Sequence, residues 1–290
     1  MTAMPEKISE MLEAGALFVV NHSAGKDSQA MMIALRRASV PSAQMLVVHA
    51  DLGEVEWSGN MDHIRATVGD APVIIARAKK TFFEMVEHRQ MFPSPSHRQC
   101  TSDLKRNPIE REIRRYLKAH PEFGGRVVNC MGMRAQESAS RAKKQALKRS
   151  EKNSKAGREW WDWLPIHDMT EDEVFALISE VGQEPHWAYV EGMSRLSCCF
   201  CIMSSAGDLK TAAKHRPELY REYVELEREI DNTLSVPSSA VARDKDGAYV
   251  MVQGGDTFTR RTVVTGATSA DRVQIIQGLE AGDTVRASAE

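Results

Sequence analysis

Leu17-Phe18-Val19-Val20-Asn21-His22-Ser23-Ala24-Gly25-Lys26-Asp27-Ser28 is the stretch that decides how this chain folds. Four unbroken apolar residues read as a short strand buried on both faces. The small and polar residues His22–Ser28 make a turn, and Ser28 to Arg37 has helical character. A strand, a small-residue turn and a helix in that order aim backbone N–H groups and the positive end of a helix dipole at one point, where an anion is stabilised. Ser23 and Ser28 add hydroxyl donors there and Lys26 a charge. The common P-loop would place Gly at Val20 and Ser or Thr at Asp27, so this is a different phosphate turn.

Working outward, Met45–Ala50, Val73–Ala76 and Arg126–Met131 are three more apolar strands, with helical stretches at 57–68, 80–88 and 106–119 between them. The alternation predicts an α/β fold, a parallel twisted sheet with helices on both faces. Ligands of such sheets bind beyond the carboxyl ends of the strands, here the turns after Val20, Ala50 and Met131. Thr170-Glu171-Asp172-Glu173 fits a capping box opening a helix to about Val181, and helices follow at 206–215 and 217–231. From Ser235 onward there is no Cys, His or Trp, and Val-rich strands at 248–252, 261–264 and 272–276 alternate with Gly/Asp turns. This predicts a nucleotide-binding domain over 1–232, a linker near Asn232–Ser239, and a small all-β module over 235–290 without catalytic side chains.

The 290 residues are 42% hydrophobic and 27% charged, which excludes collagen-like, disordered and disulfide-stapled chains. The net charge of −2 gives no global pull toward nucleic acid or anionic membrane. The exception is local. Residues 141–158, RAKKQALKRSEKNSKAGR, hold eight Lys/Arg against one Glu. They read first as a solvated mobile loop, and second as a basic lid or a landing strip for a nucleic-acid acceptor. No apolar run approaches the ~20 residues of a membrane span, and Glu6, Glu10 and Glu13 do not suit a secretory signal. A cytoplasmic protein without membrane insertion is expected. Five cysteines, with Cys198, Cys199 and Cys201 clustered, suggest metal or redox chemistry rather than disulfides.

The turn at Ser23–Ser28 resembles the SGGxDS loop of the PP-loop ATP pyrophosphatases, and four further segments narrow the resemblance to their phosphoadenosine phosphosulfate (PAPS) reductase branch. His49-Ala50-Asp51-Leu52-Gly53 is similar to the strand end that contacts adenosine in that family. Arg98 to Pro108 resembles its cysteine and Lys-x-x-Pro segment. Gly132-Met133-Arg134-Ala135-Gln136-Glu137-Ser138 with Arg141 resembles its Gly-x-Arg-x-x-Glu-Ser element, and Gly192 to Cys201 its Gly-x-x-Arg-x-x-Cys-x-x-Cys element. The departure is Ala24, where the family usually has Gly; Ala is still small but adopts a positive φ less freely. The resemblance implies an adenine nucleotide, ATP with Mg²⁺ or PAPS, held by Ser23, Ala24, Gly25, Lys26, Asp27, Ser28, His49, Asp51, Gly53, Gly132, Arg134, Glu137 and Arg141. Lys26, Asp27 and Arg134 would be the catalytic residues. Residues 235–290 separately resemble the C-terminal domain of efflux periplasmic adaptor proteins, through Val236–Val241 and Gly278–Val285.

For the cysteines, the resemblance implies Cys100, Cys198 and Cys201 as ligands of a [4Fe–4S] cluster, with Cys199 or Cys130 as a fourth candidate, zinc as the alternative metal, and simple buried thiols as the third reading. Cys130, on an apolar strand, reads as a small core residue. Two activities follow from the resemblance: ATP-dependent, pyrophosphate-releasing sulfur transfer to a nucleic acid or small molecule, and sulfite-forming PAPS reduction. The first is favoured, because no cysteine follows Cys201 in this sequence to serve as the reductase nucleophile. A non-catalytic nucleotide-binding module is a third reading. A cysteine desulfurase or thioredoxin-type donor, and a homo-oligomer, are the expected partners.

Overall fold

The computed structural model describes residues 4–231, 234–255, 257–268 and 272–288. In chain order the elements begin with α1 (Glu6–Glu13), β1 (Leu17–Asn21), α2 (Lys26–Arg37), β2 (Met45–Asp51), α3 (Asn60–Val68), β3 (Val73–Arg77) and α4 (Phe82–Arg89). A turn of π-helix at Thr101–Arg106 leads into α5 (Asn107–Ala119) and then β4 (Arg126–Met131). The middle of the chain forms α6 (Ala139–Ala142), β5 (Leu147–Arg149), β6 (Glu159–Trp163), α7 (Glu171–Glu180), α8 (Trp187–Val190) and α9 (Ala206–His215). Last come α10 (Pro217–Asp231), β7 (Ser235–Pro237), β8 (Ala242–Asp244), β9 (Gly247–Gly254), β10 (Thr257–Thr262), β11 (Val264–Thr268) and β12 (Arg272–Gln277). No helix among the described residues is long and apolar enough to cross a membrane.

Two compact units result, one of residues 1–79 and 101–215, the other of 80–100 and 216–290. The first carries a six-stranded sheet in the order β3-β2-β1-β4-β6-β5, parallel except for β5, which runs antiparallel to β6. Period-two alternation divides β1 between two layers. Leu17 and Val19 join Leu46, Val48, Val127 and Trp160 against Ile113 and Leu117 of α5. Phe18 meets the Trp163 ring edge-on at 6.5 Å. α2 is buried from Ser28 to Leu35, and α7 is its main helical neighbour. The chain leaves β1 toward β2 on one side, and β4 comes in on the other, so strand order reverses at β1 and a crevice opens past its carboxyl end.

The four expected strands of this sheet form within a residue of their bounds, as do the helices at 206–215 and 217–231. The basic stretch 141–158 differs from its first reading as a mobile loop. It folds into α6, β5 and a turn into β6, pinned by the buried Asn153, whose amide oxygen takes the Arg114 Nη1–H at 3.2 Å. The sequence concealed β6, because Glu159-Trp160-Trp161-Asp162-Trp163 has neither alternation nor an unbroken apolar run.

The second unit joins α4 and α10 to the β module. Phe82 stacks on Tyr223 of α10 with ring centroids 5.2 Å apart, and Phe83 and Phe92 pack around the same ring. Two three-stranded antiparallel sheets, β10-β9-β8 and β11-β12-β7, enclose Val236, Ala240, Val250, Val252, Val263 and Ile275. The Gln274 amide donates to Gln90 at 3.1 Å, tying β12 to the end of α4. Of the expected linker 232–239, residues 232 and 233 lie outside the described residues, and Ser235–Pro237 is a strand paired with β12. The single strand expected at 261–264 is the end of β10 and the start of β11, broken at the buried Val263.

Candidate phosphate-loop site

The turn after β1 is shaped by its own side chains. Ser28 Oγ donates to the Gly25 carbonyl at 2.8 Å and accepts the Ser23 N–H at 3.2 Å. His22 Nδ1 accepts the Ala24 N–H at 3.1 Å, which leaves the ring neutral with its proton on Nε2. Ala24 takes φ +64, the left-handed conformation for which glycine is the usual residue, and its methyl is fully buried. The amides of Gly25, Asp27 and Ser28 find no acceptor among the described residues. Three free N–H groups at the start of a helix form an anion cradle.

The turn after β4 clamps this cradle. Gly132 lies so near the first turn of α2 that a Cβ there would stand 2.9 Å from the Asp27 carbonyl oxygen and 3.1 Å from the Ser28 nitrogen. Arg134 is 4% exposed, and its Nε–H reaches the Asp27 carboxylate at 2.6 Å while Nη1 holds Gln136 at 2.8 Å. Glu137 accepts the Arg134 backbone N–H at 2.9 Å and pairs with Arg141.

Lys26 stands elsewhere. It is 2% exposed, with its ammonium 3.0 Å from Glu171 and 3.1 Å from the Ser194 carbonyl, over the Tyr189 ring. The Tyr189 hydroxyl accepts the Lys26 and Leu196 N–H groups at 3.1 and 3.3 Å. Lys26 therefore fastens α7 and the 187–196 segment to the loop instead of presenting a free charge. In the sequence Glu171 belongs to a capping box and Ser194 to the Gly192–Cys201 element, and no local pattern links either of them, or Tyr189, to Lys26. Asp208 completes this side, taking the Ser194 N–H and hydroxyl at 2.7 and 2.8 Å.

Behind the loop lies a file of imidazoles. His49 is 2% exposed, donates from Nδ1 to the His22 carbonyl at 2.9 Å and meets Glu56 through Nε2 at 3.1 Å. Burial opposes its charge, yet the Glu56 carboxylate and the His22 carbonyl outweigh it and raise its pKa. His22 goes the other way, pushed down to about 3 by burial and by His63 and His49. His186 falls to about 4, through burial and then His63, whose ring centre lies 5.3 Å away. Asp51 caps Gly53, which has φ +65, through the Gly53 N–H at 2.8 Å. Burial resists ionisation of Asp51, but Arg77 at 2.8 Å and that N–H hold its pKa below the ordinary value.

The thiols depart from expectation. Cys130 is fully buried in β4, as read from the sequence. Cys199 is also fully buried, with its N–H on the Val55 carbonyl at 2.8 Å. No group of three or more His, Cys, Asp or Glu side chains with metal-holding geometry exists among the described residues. An iron–sulfur or zinc site at Cys100, Cys198, Cys201 and Cys199, expected from the resemblance, is thus not supported by the described residues. What remains is the Cys198–Cys201 pair. A hydrogen bond from Cys198, aided by the Met203 N–H, Ser197 and Arg195, lowers the Cys201 pKa well below that of an ordinary thiol, against the effect of burial.

Residues 18–204, covering the phosphate turn, the Arg134 clamp and the Cys198–Cys201 pair, match the model of the phosphoadenosine phosphosulfate reductase domain. The chain belongs to the PAPS reductase domain family. Residues 232–288 match the C-terminal permuted SH3 domain of RND membrane fusion proteins. Among relatives of this family member, an uncharacterised 37.8 kDa protein of Escherichia phage 186 is 29% identical over 170 residues, 58% of this chain and 49% of the relative. An uncharacterised protein of Methanocaldococcus jannaschii is 22% identical over 211 residues, 70% of this chain and 46% of the relative. The PAPS reductase-family chain thus spans about half the length of the curated relatives it matches. Solved structures similar to it include FMN adenylyltransferase from Candida glabrata, at 10% identity and TM-score 0.43, covering 68% of this chain and 57% of that one. PAPS reductase from Candida auris in a phosphate complex is another, at 14% identity and TM-score 0.41, covering 62% and 80%.

Proposed function

We propose that this PAPS reductase-family protein binds ATP at the Ser23–Ser28 turn and adenylates an acceptor, which then receives sulfur. The observation that carries the reading is the row of unclaimed amides at Gly25, Asp27 and Ser28, which suits the several oxygens of a polyphosphate. ATP would arrive as its magnesium complex. An acceptor oxygen attacks the α-phosphorus, the bond to the bridging oxygen of the β-phosphate breaks, and pyrophosphate departs against the cradle. A sulfur nucleophile then replaces the activated oxygen and AMP leaves. The sulfur would arrive as the persulfide of a cysteine desulfurase, and a thioredoxin-type dithiol would reduce the disulfide formed on transfer, releasing the thiolated acceptor. The protein's part is positioning and charge stabilisation. Arg134 fixes the first turn of α2 through Asp27, and Lys26 holds the 187–196 segment beside it.

Product analysis after separate incubation with ATP and with PAPS tests the reading. AMP and pyrophosphate from ATP are expected. Sulfite and adenosine bisphosphate from PAPS, with ATP untouched, would establish the reductase instead.

A further inference from the structure

The chain runs from the Arg134 clamp directly into the most basic segment of the molecule. Glu137 pairs with Arg141, and the chain continues through α6, β5 and the 150–158 turn. This segment is held in place. β5 pairs antiparallel with β6 from Leu147↔Trp163 to Arg149↔Trp161. Ser154 Oγ accepts the Trp160 N–H at 3.1 Å, Arg158 Nε donates to the Asn153 carbonyl at 3.2 Å, and Lys152 meets Glu110 of α5 at 2.7 Å. Arg149 is occupied by Glu151. Lys143, Lys144, Lys148 and Lys155 are exposed and form no ion pair among the described residues. Four free ammonium groups thus stand on an ordered scaffold in a chain whose net charge is −2.

We infer that this basic hairpin docks the phosphodiester backbone of a single-stranded nucleic acid and so delivers the acceptor to the phosphate loop. The naming of an acceptor and the choice of an unpaired strand rest on the proposed adenylating role; the docking of a phosphodiester backbone does not. Backbone phosphates complement exposed, unpaired lysines without base readout, and the free energy comes largely from released counterions. An unpaired strand is favoured because a base must leave its stack before an enzyme can modify it.

The test uses the full chain without ATP and fluorescein-labelled RNA and DNA strands of about twenty nucleotides, with the matching duplex as a third arm. Four neutralised phosphates give a salt slope near −3, so raising KCl from 50 to 200 mM should weaken single-strand binding about 50-fold. Replacing Lys143, Lys144, Lys148 and Lys155 together with Gln should weaken it more than tenfold, while the fourfold Arg variant should bind like the parent and show that charge, not fold, is read. Calorimetric ATP titration of both variants reports folding independently. Unchanged binding by the Gln variant, tighter binding to the duplex, or binding only to phosphatidylserine vesicles would each overturn the inference. Because nucleic-acid binding is read without turnover, failure of ATP cleavage would sink the adenylating reading and leave the docking result standing.

Discussion

The Asp27 carboxylate accepts the Nε–H of Arg134 at 2.6 Å, joining the first turn of the helix after β1 to the turn after β4. Arg134 is 4% exposed in side chain and Asp27 21%. A guanidinium this enclosed needs both its counterion and its in-plane partner, Gln136.

Arg134→Lys keeps the charge but has no fork to hold Asp27 and Gln136 at once. It should weaken ATP binding at least tenfold and lower stability by about 1–3 kcal/mol. Calorimetry and urea denaturation check this, and a fully active, fully stable Lys variant would show that the clamp is incidental.

Ala24 is the second test, because its φ of +64 costs an L-residue about 1–2 kcal/mol. Ala24→Gly relieves that strain at some cost in unfolded-state entropy and a lost methyl contact, for a net gain of up to about 1 kcal/mol. Ala24→Val, β-branched in the same conformation, should be destabilising. The opposite signs of the two shifts in urea midpoint are the readout.

How far the sequence revealed all this depends on the range of the signal. The four apolar runs and the Thr170–Glu173 capping box are local patterns, and each forms where expected, with the Thr170 hydroxyl accepting the Glu173 N–H at 3.2 Å. The positive φ of Ala24 was not legible, since Ala adopts that conformation less freely than the Gly the family usually has there. Nor was the engagement of Lys26 by Glu171 and Ser194, since it depends on how α7 packs on α2. The Trp-rich β6 hid for a third reason: it is an inner strand whose polar Asp162 serves Asn129, accepting its amide at 2.8 Å.

Stability should fall on the acid side for a reason placed in the imidazole file. His22 and His186 titrate near about 3 and about 4 in the folded chain, against about 6.5 when unfolded. Between pH 6.5 and 5 the unfolded chain binds protons that these folded rings refuse. Each ring therefore removes up to about 1.4 kcal/mol per pH unit as the pH drops. His49, with its pKa raised, has the opposite sign, and its contribution is present below pH 6.5 and lost as the pH rises. Urea midpoints at pH 7, 6 and 5 should fall, and His186→Phe should flatten the slope. An identical slope in that variant would remove His186 from the account.

Gly132→Ala probes the close approach of the two turns. The added methyl would stand 2.9 Å from the Asp27 carbonyl oxygen, so the first turn of α2 must shift. ATP affinity should drop about tenfold or more while the urea midpoint changes by less than in Arg134→Lys, whose buried charge is disturbed. Equal affinity for the Ala variant and the parent would mean that the approach of the β4 turn does not shape the cradle.

The phosphate cradle itself is the central claim, and calorimetric titration with ATP and with AMP on the same protein tests it most directly. If the amides of Gly25, Asp27 and Ser28 hold the outer phosphates, ATP should bind tenfold or more tighter than AMP. Ser28→Ala, which unfastens the Ser23 N–H and the Gly25 carbonyl, should cost ATP about 1–3 kcal/mol and leave AMP nearly unchanged. Equal affinities for ATP and AMP, or an ATP affinity indifferent to Ser28, would contradict the account.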